Sequence, residues 1–116
     1  MLDKQNRLKK NRQFNFIYRK GQAKHTKFLS LVFAPSKLTD IKVGFSVSKK
    51  IGKSVVRSKV KRRLRAIVRE ILPSLEKNYN YIFIAKEGIE VVDFDNLKNE
   101  VKAVLKKASL INEKNS

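Results

Sequence analysis

A run of positively charged side chains between Arg57 and Arg69 is the part of this sequence best suited to chemistry. Seven of these thirteen residues are Lys or Arg, and none is acidic. Three like-charge pairs stand four residues apart: Arg57–Lys61, Lys61–Arg65 and Arg65–Arg69. Such pairs destabilise an isolated helix. A phosphate backbone lying along them would reverse the sign of that energy, so the run predicts contact with a nucleic acid.

A second basic segment, near the N-terminus, contains aromatic side chains. Phe14 and Tyr18 stand four residues apart and share one face of a helix, whereas Phe16 points elsewhere. Arg12 and Arg19 flank them. RNA-binding proteins often combine basic surfaces with exposed rings on which bases stack. The alternative is that these rings belong to the hydrophobic core, and the residues alone leave both interpretations open.

Residues that could catalyse a reaction are scarce. His25 is the single histidine, and in a predicted loop with no nearby carboxylate it is better suited to a surface or RNA-contacting role than to that of a base. The sequence has no Cys, which excludes disulfides, cysteine-bound zinc and thiol nucleophiles. Asp93 and Asp95 could bind a hard cation, but helix capping explains them more simply. We therefore expect no catalytic residue, no metal ligand and no cofactor bound by the protein itself.

The net charge of the 116 residues is +18, and it is unevenly distributed. Residues 4–69 contain 21 basic side chains and one acid, Asp40, whereas residues 70–116 contain 7 basic and 8 acidic ones. Such an excess favours binding to a polyanion: a nucleic acid, an anionic membrane or an acidic protein. No helix-turn-helix, basic zipper or zinc finger is evident, which favours RNA over DNA. A membrane is disfavoured because the apolar stripe of the basic helix lacks Trp and Phe.

Hydrophobic periodicity predicts a single α+β domain in the order αββαβα. The helix over 55–72, capped by Ser54 and ended by Pro73, has the strongest apolar stripe. A last helix begins at Asp93 or Asp95 and runs to about Lys107, with Phe94, Leu97, Val101, Val104 and Leu105 on its buried side. The other expected elements are a helix over 7–20, strands over 27–34 and 42–48 that form a hairpin, and a strand over 79–85.

The limits of the domain and its location follow from composition. We expect one domain over residues 1–116, with an ordered core over about 6–108 and a flexible polar tail over 109–116. The sequence has no apolar run of the roughly 20 residues that cross a bilayer. Its N-terminal segment shows no secretory signal. A cytoplasmic protein without a membrane partner is therefore the expectation.

Three segments of the sequence together resemble the bacterial ribonuclease P protein subunits. VGFSVSKKIGKSVVRSKVKRRLR at 43–65 is similar to that family's strand, glycine loop and Arg-Asn-Arg helix. LKKNRQFNFIYRKG at 8–21 is similar to its opening helix, and YIFIAK at 81–86 to its third strand. The resemblance covers residues 6–108. It implies an α/β sandwich with a left-handed βαβ crossover, the fold of the second domain of a small-subunit ribosomal protein.

The resemblance also implies a function and a set of partners. In that family a catalytic RNA, using magnesium ions that it binds itself, removes the 5′ leader from precursor tRNA. The protein belongs to this endoribonuclease without being its catalyst. It binds the catalytic RNA and also holds the single-stranded leader between its first helix and its sheet. Two other classes stay open: a ribosomal or general RNA chaperone protein, and a nuclease that acts alone.

Residue by residue, the resemblance assigns two groups of positions. Those for the catalytic RNA are Lys49, Lys50, Lys53, Arg57, Ser58, Lys59, Lys61, Arg62, Arg65 and Arg69. Those for the leader cleft are Phe14, Tyr18, Leu31, Arg57 and Ser58. This chain departs from the family's Arg-Asn-Arg motif at two positions: Ser58 replaces Asn and Lys59 replaces Arg. These changes remove an amide and a planar guanidinium. Leu31 stands where relatives can carry an aromatic residue.

Overall fold

The computed structural model describes residues 4–37 and 40–111. Its helices and strands, in chain order, are α1 (Asn11–Lys20), β1 (Gln22–His25), β2 (Leu29–Pro35), β3 (Lys42–Ser46), α2 (Ser54–Ile71), β4 (Tyr79–Ala85) and α3 (Phe94–Lys107). Short 3₁₀ turns lie at Lys4–Asn6, Lys49–Ile51, Leu72–Ser74 and Ile89–Val91. The α+β class is confirmed. The order of elements is αβββαβα, one strand more than expected.

The additional strand is β1, which the sequence pattern does not predict. It pairs antiparallel with β2, from Gln22 opposite Phe33 to His25 opposite Ser30. All four of its residues are exposed. A strand that buries neither face needs no alternation of apolar and polar residues, so it leaves no signal of period two. The placement of His25 in a loop is therefore wrong, because this residue ends an edge strand.

The order of the strands in the sheet is β1-β2-β4-β3. The expected hairpin between the second and third strands is wrong, since β4 lies between them. β4 pairs antiparallel with β2 and parallel with β3. Two parallel neighbours require a long crossover, and α2 supplies it on the way from β3 to β4. The hand of this βαβ crossover stays a prediction.

Both faces of the sheet are covered, which explains why β2 reads as a nearly continuous apolar run. On one face, Leu31, Phe33 and Phe83 pack with the buried stripes of α2 and α3. On the other face, Val32 and Ile82 pack with α1 and the segment before it. We call these the α2–α3 face and the α1 face. Side chains alternate between them along each strand.

The ends of the helices differ from expectation in ways that the local contacts explain. α1 begins at Asn11 rather than residue 7 because Arg7 and Leu8 instead run beside β3, where the Leu8 N–H donates to the Val43 carbonyl. Ser54 is the first residue of α2 rather than its cap. Asp93 does cap α3: its carboxylate accepts from the Asn96 N–H at 2.8 Å.

The folded core extends past residue 108. Leu110 is buried, and Ile111 forms a β-bridge with Leu75. The packed core thus extends slightly past the expected boundary at about residue 108, while the flexibility of the tail stays a prediction and residues 112–116 lie outside the described residues. Phe94, expected on the buried side of α3, is 39% exposed because it is the first residue of that helix and lies at the edge of the core. Within the described ranges, no helix is long and apolar enough to cross a membrane.

Candidate RNA interface

The basic surface of α2 is fixed in place by the apolar side of the same helix. That side is a continuous buried stripe against the sheet: Val60, Leu64, Ile67, Val68 and Ile71. Val56, also expected in the stripe, is only half-buried. Because the helix buries one side completely, its charged residues are forced onto the remaining surface. Of these, Ser58, Lys59, Arg62 and Arg69 are exposed, and Arg57, Lys61 and Arg65 are partly buried.

The two flanks of α2 differ in charge. On the flank next to α3, Arg63 donates to the Val92 carbonyl at 3.1 Å, and Glu70 forms an ion pair of 2.6 Å with Lys98. The hydrogen bond and the positive charge of Lys98 lower the pKa of Glu70. The opposite flank, which faces β3, carries Lys61 and Arg65. The excess positive charge of α2 therefore lies on the flank away from α3. We call this flank the basic flank.

The loop before α2 continues the basic surface. Arg57 Nε donates to the Gly52 carbonyl at 3.2 Å, which ties the first turn of the helix to the 3₁₀ turn Lys49–Ile51. Ile51 is buried and anchors that turn. Lys49, Lys50 and Lys53 are exposed. The structure thus brings the predicted lysines of the loop to the same end of the molecule as the first turn of α2.

A small pit joins the basic flank of α2 to the region of α1. It encloses about 190 Å³ and is lined by Arg7, Leu8, Phe14, Val43, Gly44, Phe45, Lys61 and Arg65. Three cationic side chains therefore surround an apolar floor. Arg7 was not among the predicted site residues, because only the path of the chain beside β3 brings it to Lys61. The pit places the Phe14 ring next to the basic helix.

Phe14 and Tyr18 form an aromatic wall along one side of α1. Their ring centroids are 6.5 Å apart with an interplanar angle of 42°. Ile17 is buried against the sheet and fixes the rotation of the helix. Phe14 is half-buried, whereas Tyr18 is 44% exposed. The wall therefore presents ring surface to solvent, as stacking with a base requires.

The sheet beside this wall supplies a floor. Ser30, Ile84 and Ser46 are neighbours across β2, β4 and β3, and alternation places them on the α1 face. Phe14 and Ile84 pack against the same hydrophobic cluster. His25 Nδ1 lies 2.8 Å from Ser30 Oγ at the outer end of this row. We call the space between the wall and this floor the groove. These floor residues were not predicted, since their face depends on strand register.

Leu31 does not line the groove. It is fully buried, and its neighbours are the core residues of the α2–α3 face. Because side chains alternate along β2, a residue next to Ser30 and Val32 must point to the opposite side of the sheet. The assignment of Leu31 to a leader cleft with Phe14 and Tyr18 is therefore wrong.

Comparison with known proteins identifies the family. A family model described as Ribonuclease P matches residues 2–109. The chain belongs to the ribonuclease P protein family. The ribonuclease P protein component of Caldanaerobacter subterraneus subsp. tengcongensis is 39% identical over 114 residues, covering 98% of each chain. That of Syntrophomonas wolfei is 34% identical over 110 residues, covering 95% of this chain and 92% of the relative.

Solved ribonuclease P proteins share the fold. The Staphylococcus aureus protein matches with a TM-score of 0.86 at 30% identity, covering 92% of this chain and 98% of that one. The Thermotoga maritima protein matches with a TM-score of 0.81 at 25% identity, covering 87% and 96%. The resemblance seen in the sequence is thus confirmed along nearly the whole chain.

The two positions at which this chain departs from the Arg-Asn-Arg motif of the ribonuclease P family lie on the surface. Ser58 and Lys59 are both exposed on the first turns of α2. A serine hydroxyl and a lysine ammonium can each still bind a phosphate oxygen, but neither offers the paired geometry of an amide or a guanidinium. In the described parts of the chain, no three acidic or histidine residues cluster closely enough to hold a metal ion. The expectation that the protein binds no metal stays a prediction.

Proposed function

We propose that this chain is the protein component of a ribonuclease P holoenzyme, in which a catalytic RNA removes the 5′ leader of precursor tRNA. The observation that carries the proposal is the pit at the β3 edge, where Lys61 and Arg65 of α2 meet Phe14 of α1. One surface thereby offers cations for phosphates beside aromatic rings for unpaired bases. Such a pairing suits a protein that contacts folded RNA and a single strand together.

The basic face of α2 and the loop before it would bind the catalytic RNA through its phosphates. Lys49, Lys50 and Lys53 extend the positive surface beyond the helix N-terminus, and Arg62 and Arg69 extend it along the outer side. Contacts of this kind release counterions, so the affinity falls steeply as the salt concentration rises. They read backbone position rather than base sequence.

The groove would hold the single-stranded leader. Phe14 and Tyr18 form its wall, while Arg57 lies one turn before Lys61 on the same flank of α2, with Ser58 next to it in the first turns of the helix. Each stacked base contributes about 1–3 kcal/mol. Mature tRNA has no leader, so this contribution favours the precursor over the product.

The chemical step is assigned to the RNA and its magnesium ions. Metal-assisted phosphodiester cleavage needs carboxylates or other anionic oxygens that hold the ions. None of the residues that line the pit is acidic. We place the holoenzyme in the cytoplasm, as expected from the sequence, with no membrane or DNA partner.

Reconstitution tests this proposal. The protein is added to a bacterial ribonuclease P RNA at low magnesium, and cleavage of precursor tRNA is followed. We expect faster cleavage and tighter binding of precursor than of mature tRNA, and no cleavage by the protein alone. Equal affinity for the two tRNAs would indicate a general RNA chaperone, and cleavage without added RNA would indicate an independent nuclease. Either result would overturn the proposal.

The aromatic wall has a test of its own. Tyr18→Ala should weaken precursor binding by about 10-fold, the equivalent of one stacked base. Binding of mature tRNA should be unchanged, because it places no strand in the groove. Val91→Ala, which shortens a side chain that is 83% exposed in the 3₁₀ turn before α3, serves as a control that removes apolar surface elsewhere. A loss of the same size for mature tRNA would exclude the groove as a leader site.

A further inference from the structure

The outer surface of α1 is basic, aromatic and exposed, and Tyr18 is its one residue that the proposed function already uses. A depression of about 640 Å³ on this surface is lined by Arg12, Asn15, Tyr18 and Arg19. Arg12, Asn15 and Arg19 recur every three or four residues and form one stripe along the helix, on the side away from the sheet. This stripe is therefore separate from the side of α1 that packs on the core.

The charge of this surface favours an RNA strand. α1 contains no acidic residue, and the basic residues Lys9 and Lys10 precede it directly. A helix of this composition lacks the opposite-charge pairs that usually stabilise an exposed helix. Phosphates along the stripe would supply the missing negative charge. The amide of Asn15 lies between the two arginines in the lining and can both donate to and accept from a base edge.

The surface is continuous with the groove through one residue. Tyr18 belongs to the aromatic wall with Phe14 and also lines the depression with Arg12 and Arg19. Phe14 lies near Gly44 of β3, and α1 then crosses the sheet towards β2, where Gly21 approaches the Phe33 carbonyl. Passing from Phe14 to Tyr18 therefore leads away from β3 and α2. A strand that follows the wall in this direction leaves the groove at the depression.

An exposed ring lies beyond the stripe. Phe16 is 47% exposed and projects from the side of α1 opposite the Phe14–Tyr18 wall. An aromatic ring among cationic side chains is the arrangement that non-specific single-strand binders use to stack bases. Phe16 would receive a base after the strand has crossed the helix.

We propose that the outer surface of α1 binds the part of the precursor leader that lies upstream of the nucleotides held in the groove. Arg12 and Arg19 neutralise its phosphates, Asn15 contacts a base, and Phe16 stacks with a further one. The inference rests on the proposed leader groove and extends it. It makes the length of the leader a determinant of substrate affinity.

A comparison of leader lengths tests the inference on the reconstituted holoenzyme. One precursor carries a leader of about 4 nucleotides, which the groove can hold, and another a leader of about 12. Arg12→Ala with Arg19→Ala should weaken binding of the long-leader precursor by about 10-fold and that of the short-leader precursor by less than about 2-fold. Phe16→Ala should show the same dependence on length. The matched control is Lys24→Ala with Lys77→Ala, which removes two charges outside α1 and should affect both substrates equally.

The outcomes separate this inference from the proposed function. Equal losses for both leader lengths, or no loss for either, would overturn the role of α1 and leave the groove intact. If the unaltered protein bound the short-leader precursor no better than mature tRNA, the groove itself would be rejected. Thermal unfolding of each variant verifies that the exposed substitutions leave the fold unchanged.

A second measurement locates the strand directly. Because the chain has no Cys, Asn15→Cys introduces a unique thiol to which an RNA-cleaving iron chelate can be attached. Cleavage should fall in the upstream part of the long leader and be absent from the short one. Cleavage confined to the catalytic RNA or to the body of the tRNA would contradict the inference.

Discussion

At the scale of single residues, the shape of the groove depends on Gly44. A Cβ atom at this position would lie 2.5 Å from Cζ of Phe14 and 3.1 Å from Cδ1 of Leu8. Gly44→Ala must therefore displace the Phe14 ring from the wall. We expect precursor selectivity to fall by about 3–10-fold, with a loss of about 1–3 kcal/mol in the free energy of unfolding from overpacking. Binding ratios of precursor to mature tRNA and urea unfolding measure the two effects.

A double substitution distinguishes the ring from the backbone in this experiment. Adding Phe14→Leu to Gly44→Ala shortens the clashing side chain, so stability should partly return while selectivity stays low. The two changes should couple in a double-mutant cycle because their atoms are in contact. Unchanged selectivity in Gly44→Ala would show that the position of the Phe14 ring has no part in leader binding.

The two flanks of α2 allow a matched comparison of two arginines. Arg65 lines the pit on the basic flank, whereas Arg63 donates to the Val92 carbonyl on the flank next to α3. Arg65→Ala should reduce the slope of log K against log salt by about one unit for binding to the catalytic RNA. Arg63→Ala should leave that slope unchanged and lower the stability of the fold. Salt titrations of RNA binding by both variants test this prediction. Equal slopes for the two variants would contradict the assignment of phosphate contacts to the basic flank.

The roles of individual residues could be predicted to different depths. The lysines and arginines of α2 are evident from the sequence because seven cations without one acid between Arg57 and Arg69 have no structural explanation. Leu31 could not be placed, because a position in a motif does not say which face of a strand it occupies. Arg7 and Ser30 had no signal at all. They join the site only through the path of the chain beside β3 and the register of β2.

At the scale of elements, Tyr81 makes β4 sensitive to alkaline pH. Its side chain is buried, its hydroxyl donates to the Glu76 carbonyl at 2.6 Å, and burial raises its pKa. The unfolded chain ionises this phenol near pH 10, whereas the folded chain keeps it protonated. Above that pH the unfolded state therefore binds fewer protons, and stability should fall as the pH rises.

Replacing Tyr81 tests this dependence. Tyr81→Phe should lower the free energy of unfolding by about 1 kcal/mol at neutral pH through loss of the hydrogen bond. It should also flatten the decline in stability above about pH 10. Tyr18→Phe, which removes a hydroxyl from the exposed surface of α1, is the control. Urea unfolding across the alkaline range would contradict the prediction if both variants declined as steeply as the unaltered protein.

The elements were predictable where they bury one side. The stripes of α2 and α3 and the apolar run of β4 identify these elements because burial imposes a period on the sequence. β1 buries nothing and has no such period. The pairing of β3 with β4 was also beyond the sequence pattern. A strand pattern specifies which side is buried and says nothing of which strand lies next to it, so it cannot show that β4 separates β2 from β3.

At the scale of the whole molecule, charge is divided between two regions. The N-terminal 69 residues supply the basic flank of α2, the loop before it and the outer surface of α1. Residues 70–116 contain nearly equal numbers of acidic and basic side chains. Their acids include Glu70, Asp93 and Glu100, which lie beside or on α3. The folded protein thus places much of its excess positive charge on α2, on the loop before it and on the outer surface of α1, which are the surfaces where RNA is proposed to bind. Its own electrostatics should oppose folding and favour binding.

Salt should consequently have opposite effects on the folding of the free protein and on its binding to RNA. Screening shortens the range of repulsion to about 10 Å at 0.1 M, so added sodium chloride should raise the melting temperature of the free protein. The same salt should weaken binding to the catalytic RNA, because each counterion released from the RNA gains less entropy when the surrounding solution is already salty. Replacing Arg62 and Arg69 by Gln should reproduce both effects at low salt, since it removes repulsion and phosphate contacts together.

Sucrose is the control, because it stabilises folded proteins without screening charge. It should raise the melting temperature while leaving RNA affinity nearly unchanged. A melting temperature that stays constant or falls with salt would mean that the cations are already balanced within the fold, and that binding to a polyanion is not needed to offset them.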